Sequence, residues 1–195
     1  MKSQTIDETR SDAELLKAYT KGDTQAFDLL VARYQQSLFS WFLGMTSNRT
    51  DAEDLFQEVW VRILRHADGF SDVSFRAWMW QIARNLLIDF RRKKKPDFSL
   101  DATDDEDDQP MIDQLVSPSK DPAEGLEWSD AAKLALQAVH QLPAVQREVF
   151  LMRVEGDLSF NEIAETLGIP LNTALGRMHD ATSKLKKILS KGGVL

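Results

Sequence analysis

The stretch from residue 97 to 113 most constrains what this chain can fold into. It holds eight acids (Asp97, Asp101, Asp104, Asp105, Glu106, Asp107, Asp108 and Asp113) and no Lys or Arg. Like charges at that density repel, and Pro96, Pro110, Pro118 and Pro122 interrupt any helix drawn through it. No packed core can run through such a segment, so the chain divides into residues 1–96, an acidic linker over 97–127, and residues 128–195. Two readings of the linker stand side by side. Either it is a tether held extended by its own charge, or it mimics nucleic acid and lies in a positively charged channel of a partner.

The linker also changes the meaning of the overall charge. With 24 basic and 31 acidic side chains the net charge is −7, which argues against gripping bare nucleic acid by counterion release. Residues 97–127 alone contribute −10, however, while 59–96 carry nine basic and three acidic side chains. The chain has no cysteine, which excludes disulfide frameworks, thiolate zinc sites and a cysteine nucleophile. No leader-like or membrane-spanning apolar run is present, so a cytoplasmic protein without membrane insertion is expected.

Helix signals fill both flanking units and predict an all-α protein of two small helical domains. Ser11 with Glu14 forms a capping box before Leu15, Leu16 and Tyr19, and Gly22 ends that helix. A helix from about Thr24 places Phe27, Leu30, Val31, Tyr34, Leu38 and Phe42 on one face. Thr50 with Glu53 predicts a further capping box, opening a helix whose core face is Ala52, Leu55, Phe56, Val59, Trp60, Ile63 and Leu64. Its other face carries Asp51, Glu53, Asp54, Gln57, Glu58 and Arg62, by default a solvated surface.

The segment from Phe75 to about Lys95 has Phe75, Trp78, Met79, Ile82, Ala83, Leu86, Leu87 and Phe90 inward. Outward, Arg76, Trp80, Arg84, Ile88, Arg91 and Lys95 follow at steps of three or four, with Asn85 alongside and five consecutive cations over 91–95. Cations complement the C-terminal end of a helix dipole. Flat side chains among cations also hold unstacked single-stranded bases.

Beyond the linker, Leu134, Ala138, Val139 and Leu142 mark a helix stopped by Pro143, and Val145, Val149, Phe150 and Met152 mark another, closed at Gly156. Ser159 and Glu162 then form a capping box for a short helix through Ile163, Ala164 and Leu167. Gly168 supplies a left-handed turn, Ile169 plugs the core, and a helix from about Asn172 buries Ala174, Met178, Ala181, Leu185 and Ile188. This is helix-turn-helix spacing. Its groove-facing candidates are Asn172, Thr173, Gly176, Arg177 and Asp180, with Lys184, Lys186 and Lys187 set for phosphates. With one cation among the first five, this unit alone should hold free duplex DNA poorly.

Taken together, DAEDLFQEVWVRIL (51–64), FRAWMWQIARNLLIDFRR (75–92), LPAVQREVFLMRVEG (142–156) and LSFNEIAETLGIPLNTALGRMHDA (158–181) resemble the extracytoplasmic-function (ECF) group of bacterial RNA polymerase sigma factors, in the sigma-70 family. The resemblance implies that 1–96 is a region 2-like domain and 128–195 a region 4-like domain. It implies RNA polymerase core as a partner, through the clamp helices of the largest subunit and the flap, with Asp51, Glu53, Asp54, Gln57, Glu58 and Arg62 on the docking face. It implies promoter DNA as the second partner. The loop Phe70, Ser71, Asp72, Val73 and Ser74 would receive a base flipped from the −10 element, and Arg76, Trp80, Arg84, Asn85, Ile88, Arg91 and Arg92 would hold and separate the strands. Asn172, Thr173, Gly176, Arg177, Asp180 and Lys184 would meet the −35 element. The linker would thread the RNA exit path, and an anti-sigma factor would cover the polymerase-binding surfaces. Leu175 and Asp180 stand where the family usually has Lys or Arg, and Asp89 replaces a neutral polar residue common in the melting helix.

Other classes fit less well. A stand-alone helix-turn-helix regulator needs a dimer seam and a cationic recognition helix, and the sequence offers neither. For an enzyme, His66, His140 and His179 are scattered without a second ligand at i+4, and no phosphate-binding glycine pattern occurs. The sequence calls for no catalytic residue, no metal, no cofactor and no small-molecule substrate.

Overall fold

The structure is a computed structural model and describes residues 10–71, 74–94 and 130–191. Asp72, Val73 and the acidic linker lie outside the described residues.

Among the described residues, eight α-helices form two groups. The first comprises α1 (Asp12–Thr20), α2 (Thr24–Thr46), α3 (Arg49–His66) and α4 (Phe75–Lys94), with a 3-10 turn over Ala67–Gly69 between the last two. The second comprises α5 (Asp130–His140), α6 (Ala144–Val154), α7 (Phe160–Leu167) and α8 (Leu171–Lys191). Local chemistry sets most of these ends. The Ser11 side chain accepts from the Glu14 amide while Glu14 accepts from the Ser11 amide, and Ser159 with Glu162 repeats the arrangement at α7. Gly168 takes φ 65°, the left-handed conformation that lets α7 stop and α8 start at once.

One end differs from expectation. The cap of α3 is Asn48, whose side chain accepts from the Asp51 amide, so the helix begins before Thr50. Glu53 is therefore not part of a capping box and instead takes the Arg49 guanidinium at 2.7 Å. Both Asn and Thr are good caps, and the upstream one wins because the helix can be extended to it.

The two groups do not stand apart. α6 packs on α2, α7 against α4 and α5 against α2. A single buried cluster runs from Leu15, Leu30, Trp41, Ile63 and Leu87 in the first group through Val149, Met152, Leu158 and Ile163 in the second. A smaller one, Ala138, Leu142, Ala181 and Leu185, joins α5 to the far half of α8.

His140 sits where α5 meets α2. Its Nδ1 and the Ser47 hydroxyl are hydrogen-bonded at 2.8 Å, and burial, assisted by Arg147, pushes its pKa down to about 4. The native chain thus keeps His140 neutral where the unfolded chain protonates, near pH 6.5. Its contribution is complete above about pH 6.5 and is lost as the pH falls toward 4. Urea unfolding at pH 7 and 5 is expected to show a smaller difference for His140→Gln than for the parent chain.

Candidate nucleic-acid interface

On α3 the polar face forms as the spacing predicts, but it is partly neutralised by its neighbours. Arg62 reaches Glu58 at 3.3 Å, Lys94 pairs with Asp51, and Arg49 holds Glu53. Asp54 and Gln57 stand exposed. Leu64, expected inward, is 36% exposed, as is Val61. The last turn of α3 rotates past the edge of the core, so the polar face ends in an apolar margin that spacing alone did not locate. Arg62 also reaches Asp89 at 3.8 Å, and Arg92 donates to Asp89 at 3.2 Å. The unusual acid of α4 is therefore a bridge between two cations.

A cleft of about 530 Å³ opens between α3, the 3-10 turn and α4, lined by Arg62, Arg65, His66, Gly69, Trp78, Ile82 and Asn85. Of the sequence candidates it gathers Arg62 and Asn85. Phe70 stands at its edge, packed on Trp78 at a ring separation of 5.1 Å, and Trp78 in turn meets Phe75 at 5.9 Å. Gln81 donates to the Asn85 side-chain oxygen at 3.4 Å, which orients the amide. Arg65, His66, Trp78 and Ile82 are cleft residues that the sequence did not single out. Trp78, Ile82 and Asn85 follow at steps of four and three, a stripe indistinguishable in sequence from one buried in the core.

The stripe expected to face outward on α4 does not do so. Trp80 is 0% exposed, its ring edge-on to Trp41 at 5.4 Å and against Gly156 of the second group. Arg76 donates to both carboxylate oxygens of Glu162, at 3.1 and 3.4 Å. Arg84 lies 3.5 Å from Glu148, and Arg91 donates to the Met45 carbonyl at 3.3 Å. Of the described residues of that stripe only Ile88 remains exposed, with Asn85 alongside and Arg92, Lys93 and Lys94 beyond it; Lys95 lies outside the described residues. The physical reason is that other elements cover this face: α7 packs against α4, Glu148 of α6 reaches Arg84, Gly156 meets Trp80, and α2 offers the Met45 carbonyl to Arg91. Although burial opposes it, the Ser159 hydrogen bonds and Arg76 hold the Glu162 carboxyl below its ordinary range.

On α8, Asn172, Gly176, Asp180 and Lys184 are exposed as expected, while Thr173 and Arg177 are half-buried. Arg177 lies close enough to Glu148 to favour its charged form. The outward face of the first turns instead offers Leu171 and Leu175, 41% and 42% exposed. Among the described residues no helix is long and apolar enough to cross a membrane, and no three His, Cys, Asp or Glu side chains gather as a metal site requires.

A helix-turn-helix joined to a helical group with a cationic, aromatic-lined cleft defines a protein of the DNA-binding class. Residues 30–96 match the family described as Sigma-70 region 2, and residues 132–185 match Sigma-70, region 4. The ECF RNA polymerase sigma factor SigW of Bacillus subtilis is 33% identical over 176 residues, 89% of this chain and 94% of that one. The fold is shared with CnrH in its complex with the cytosolic domain of CnrY, at a TM-score of 0.65 and 24% identity over 93% of this chain and 99% of that one. It is also shared with RpoE of Bartonella quintana in complex with the anti-sigma factor NepR, at a TM-score of 0.62 and 20% identity over 84% and 96%. The chain belongs to the ECF RNA polymerase sigma factors of the sigma-70 family.

Proposed function

We propose that this protein is a dissociable subunit that binds RNA polymerase core, directs it to specific promoters and helps melt the −10 element, acting in the cytoplasm without catalytic chemistry of its own. The observation that carries this reading is the cleft between α3 and α4. Its volume of about 530 Å³ is ample for an unstacked nucleobase. It sets an aromatic wall (Trp78) and an amide (Asn85) beside three cationic or titratable side chains. A base that leaves the duplex loses stacking, and a ring with a hydrogen-bonding edge restores part of that loss. Phe70 packs on the cleft residue Trp78, and Arg92, Lys93 and Lys94, exposed at the end of α4, supply positive charge for the phosphates.

Residues 1–96 are the docking and melting unit, with Asp54, Gln57 and the apolar margin of Val61 and Leu64 meeting the polymerase. Residues 128–195 read the −35 element through the exposed first turns of α8. Residues 97–127 connect them along the RNA exit path, their acids standing in for RNA phosphates. An anti-sigma factor is the natural regulator, as the anti-sigma factor NepR accompanies the structural relative RpoE.

Polymerase core supplemented with this protein is expected to start transcription at promoters that core alone ignores, with start sites sharing common −35 and −10 sequences. Absence of core binding at micromolar protein overturns the reading. Tight duplex binding by the protein alone in a gel shift would favour a stand-alone regulator instead.

A further inference from the structure

We infer that Leu171 and Leu175, in the first turns of α8, are specificity-determining residues that read thymine: their side chains meet C5-methyl groups in the major groove of the −35 element, in place of a cationic readout of guanine. The inference rests on the reading of α8 as the −35 recognition helix.

Three features of these turns fit that chemistry. The first is apolar exposure. Leu171 and Leu175 are 41% and 42% exposed, whereas Ala174, Ala181 and Leu185 of the same helix are buried. A single exposed leucine is ordinary on a protein surface, but these two form one ridge with exposed His179 at steps of four, beside exposed Asn172 and Gly176. The second is a shortage of cations. Over 171–180 the basic side chain besides His179 is Arg177, which is half-buried and within electrostatic reach of Glu148. Guanine is read chiefly by a guanidinium or ammonium at O6 and N7, and no fully exposed Arg or Lys lies in this stretch. The exposed cations Lys184, Lys186 and Lys187 begin about 13 Å farther along the axis, where phosphates rather than base edges are in reach. The third is Gly176. It weakens a helix relative to Ala, and no atom outside its own stretch of helix lies within 4 Å of the Cβ position it lacks. The fold therefore does not require the missing side chain, while a groove approaching beside Leu175 gains from it.

The thymine methyl is an apolar group on the major-groove edge of the base pair, and uracil differs from thymine there by that methyl alone. Covering it with a leucine takes apolar surface of both out of water, a gain of about three- to fivefold in affinity per methyl. Asn172, one residue after Leu171, supplies an amide of the kind that pairs with N6 and N7 of adenine. Leucine and asparagine side by side thus favour A·T over G·C pairs. Because the leucine contribution carries no charge, it should persist as rising salt lowers the total affinity.

A cycle between protein and DNA tests this, with polymerase core carrying the full chain. The probes are fluorescein-labelled promoter duplexes taken from start sites that core with this protein uses, and copies in which the −35 thymines are replaced one at a time by deoxyuridine. For at least one thymine, binding by core with the parent chain should weaken about three- to fivefold. The same replacement in the spacer, a control for duplex stiffness, should change it less than about 1.5-fold. Leu171→Ala and Leu175→Ala should each bring the penalty at the thymine they meet below about 1.5-fold, the mark of a direct pairwise contact. Leu175→Met, which keeps an apolar side chain, should retain the penalty, and far-UV circular dichroism checks that the variants fold. A −35 element without thymine, no deoxyuridine penalty with the parent chain, or an undiminished penalty in both alanine variants overturns the inference. So does a loss of core binding in place of DNA affinity, because it sets the leucines against polymerase. If scrambling the −35 block lowers affinity but deoxyuridine does not, α8 remains the recognition helix and reads without its leucines. If scrambling has no effect, the reading of α8 falls as well.

Discussion

Trp78→Ala is expected to lower promoter opening by about ten- to a hundredfold while core binding stays within about twofold. Base stacking on an aromatic side chain contributes about 1–3 kcal/mol, which spans that range. Trp78 is the one aromatic residue among those lining the cleft, and its contacts with Phe70 and Phe75 fix the ring plane. The acidic face of α3, with Asp54 and Gln57, is made of other side chains, so docking should survive. Permanganate reactivity of unpaired thymines measures opening, and fluorescence anisotropy of labelled protein with core measures docking. Trp78→Phe, which keeps a ring, should retain most of the activity. Equal loss in both assays would mean that Trp78 merely supports the fold.

Trp80→Ala is expected to cost about 3–5 kcal/mol of stability, the usual range for emptying a fully buried aromatic site. The indole is 0% exposed and meets residues of both helical groups, Trp41 on one side and Gly156 on the other. Calorimetry should show a lower melting temperature and, because the shared cluster is broken at its centre, less cooperative unfolding of the two groups. If Trp80→Ala unfolds like the parent chain, the joint core is absent in solution.

These two residues also mark where the sequence stops being legible. Periodicity placed Trp78 in the core and Trp80 on the DNA side, whereas the structure lines the cleft with Trp78 and buries Trp80. The helix itself, its bounds and its two non-equivalent faces were readable, since Phe75, Met79, Ala83, Leu86 and Leu87 are buried. What a single helix cannot reveal is which neighbour covers its second face. α4 carries aromatic or aliphatic side chains on more than one face, and part of what covers its second face, α7 together with Glu148 and Gly156, comes from beyond the acidic linker. Local chemistry fared better. The capping boxes at Ser11 and Ser159 and the turn at Gly168 depend on residues within one turn of each other, and all three form as read. Asn48 displaced Thr50 because two adequate caps compete within one turn. Asp89, an odd substitution in sequence, is explained by Arg62 and Arg92, of which only the second is local.

The seam between the two helical groups, where Trp80 and Leu151 are buried, is mainly apolar, and that gives it a thermal character. Hydrophobic contact weakens on cooling, and separating such surfaces raises the heat capacity. The hold of the two helical groups on each other is thus a function of temperature, weakest in the cold.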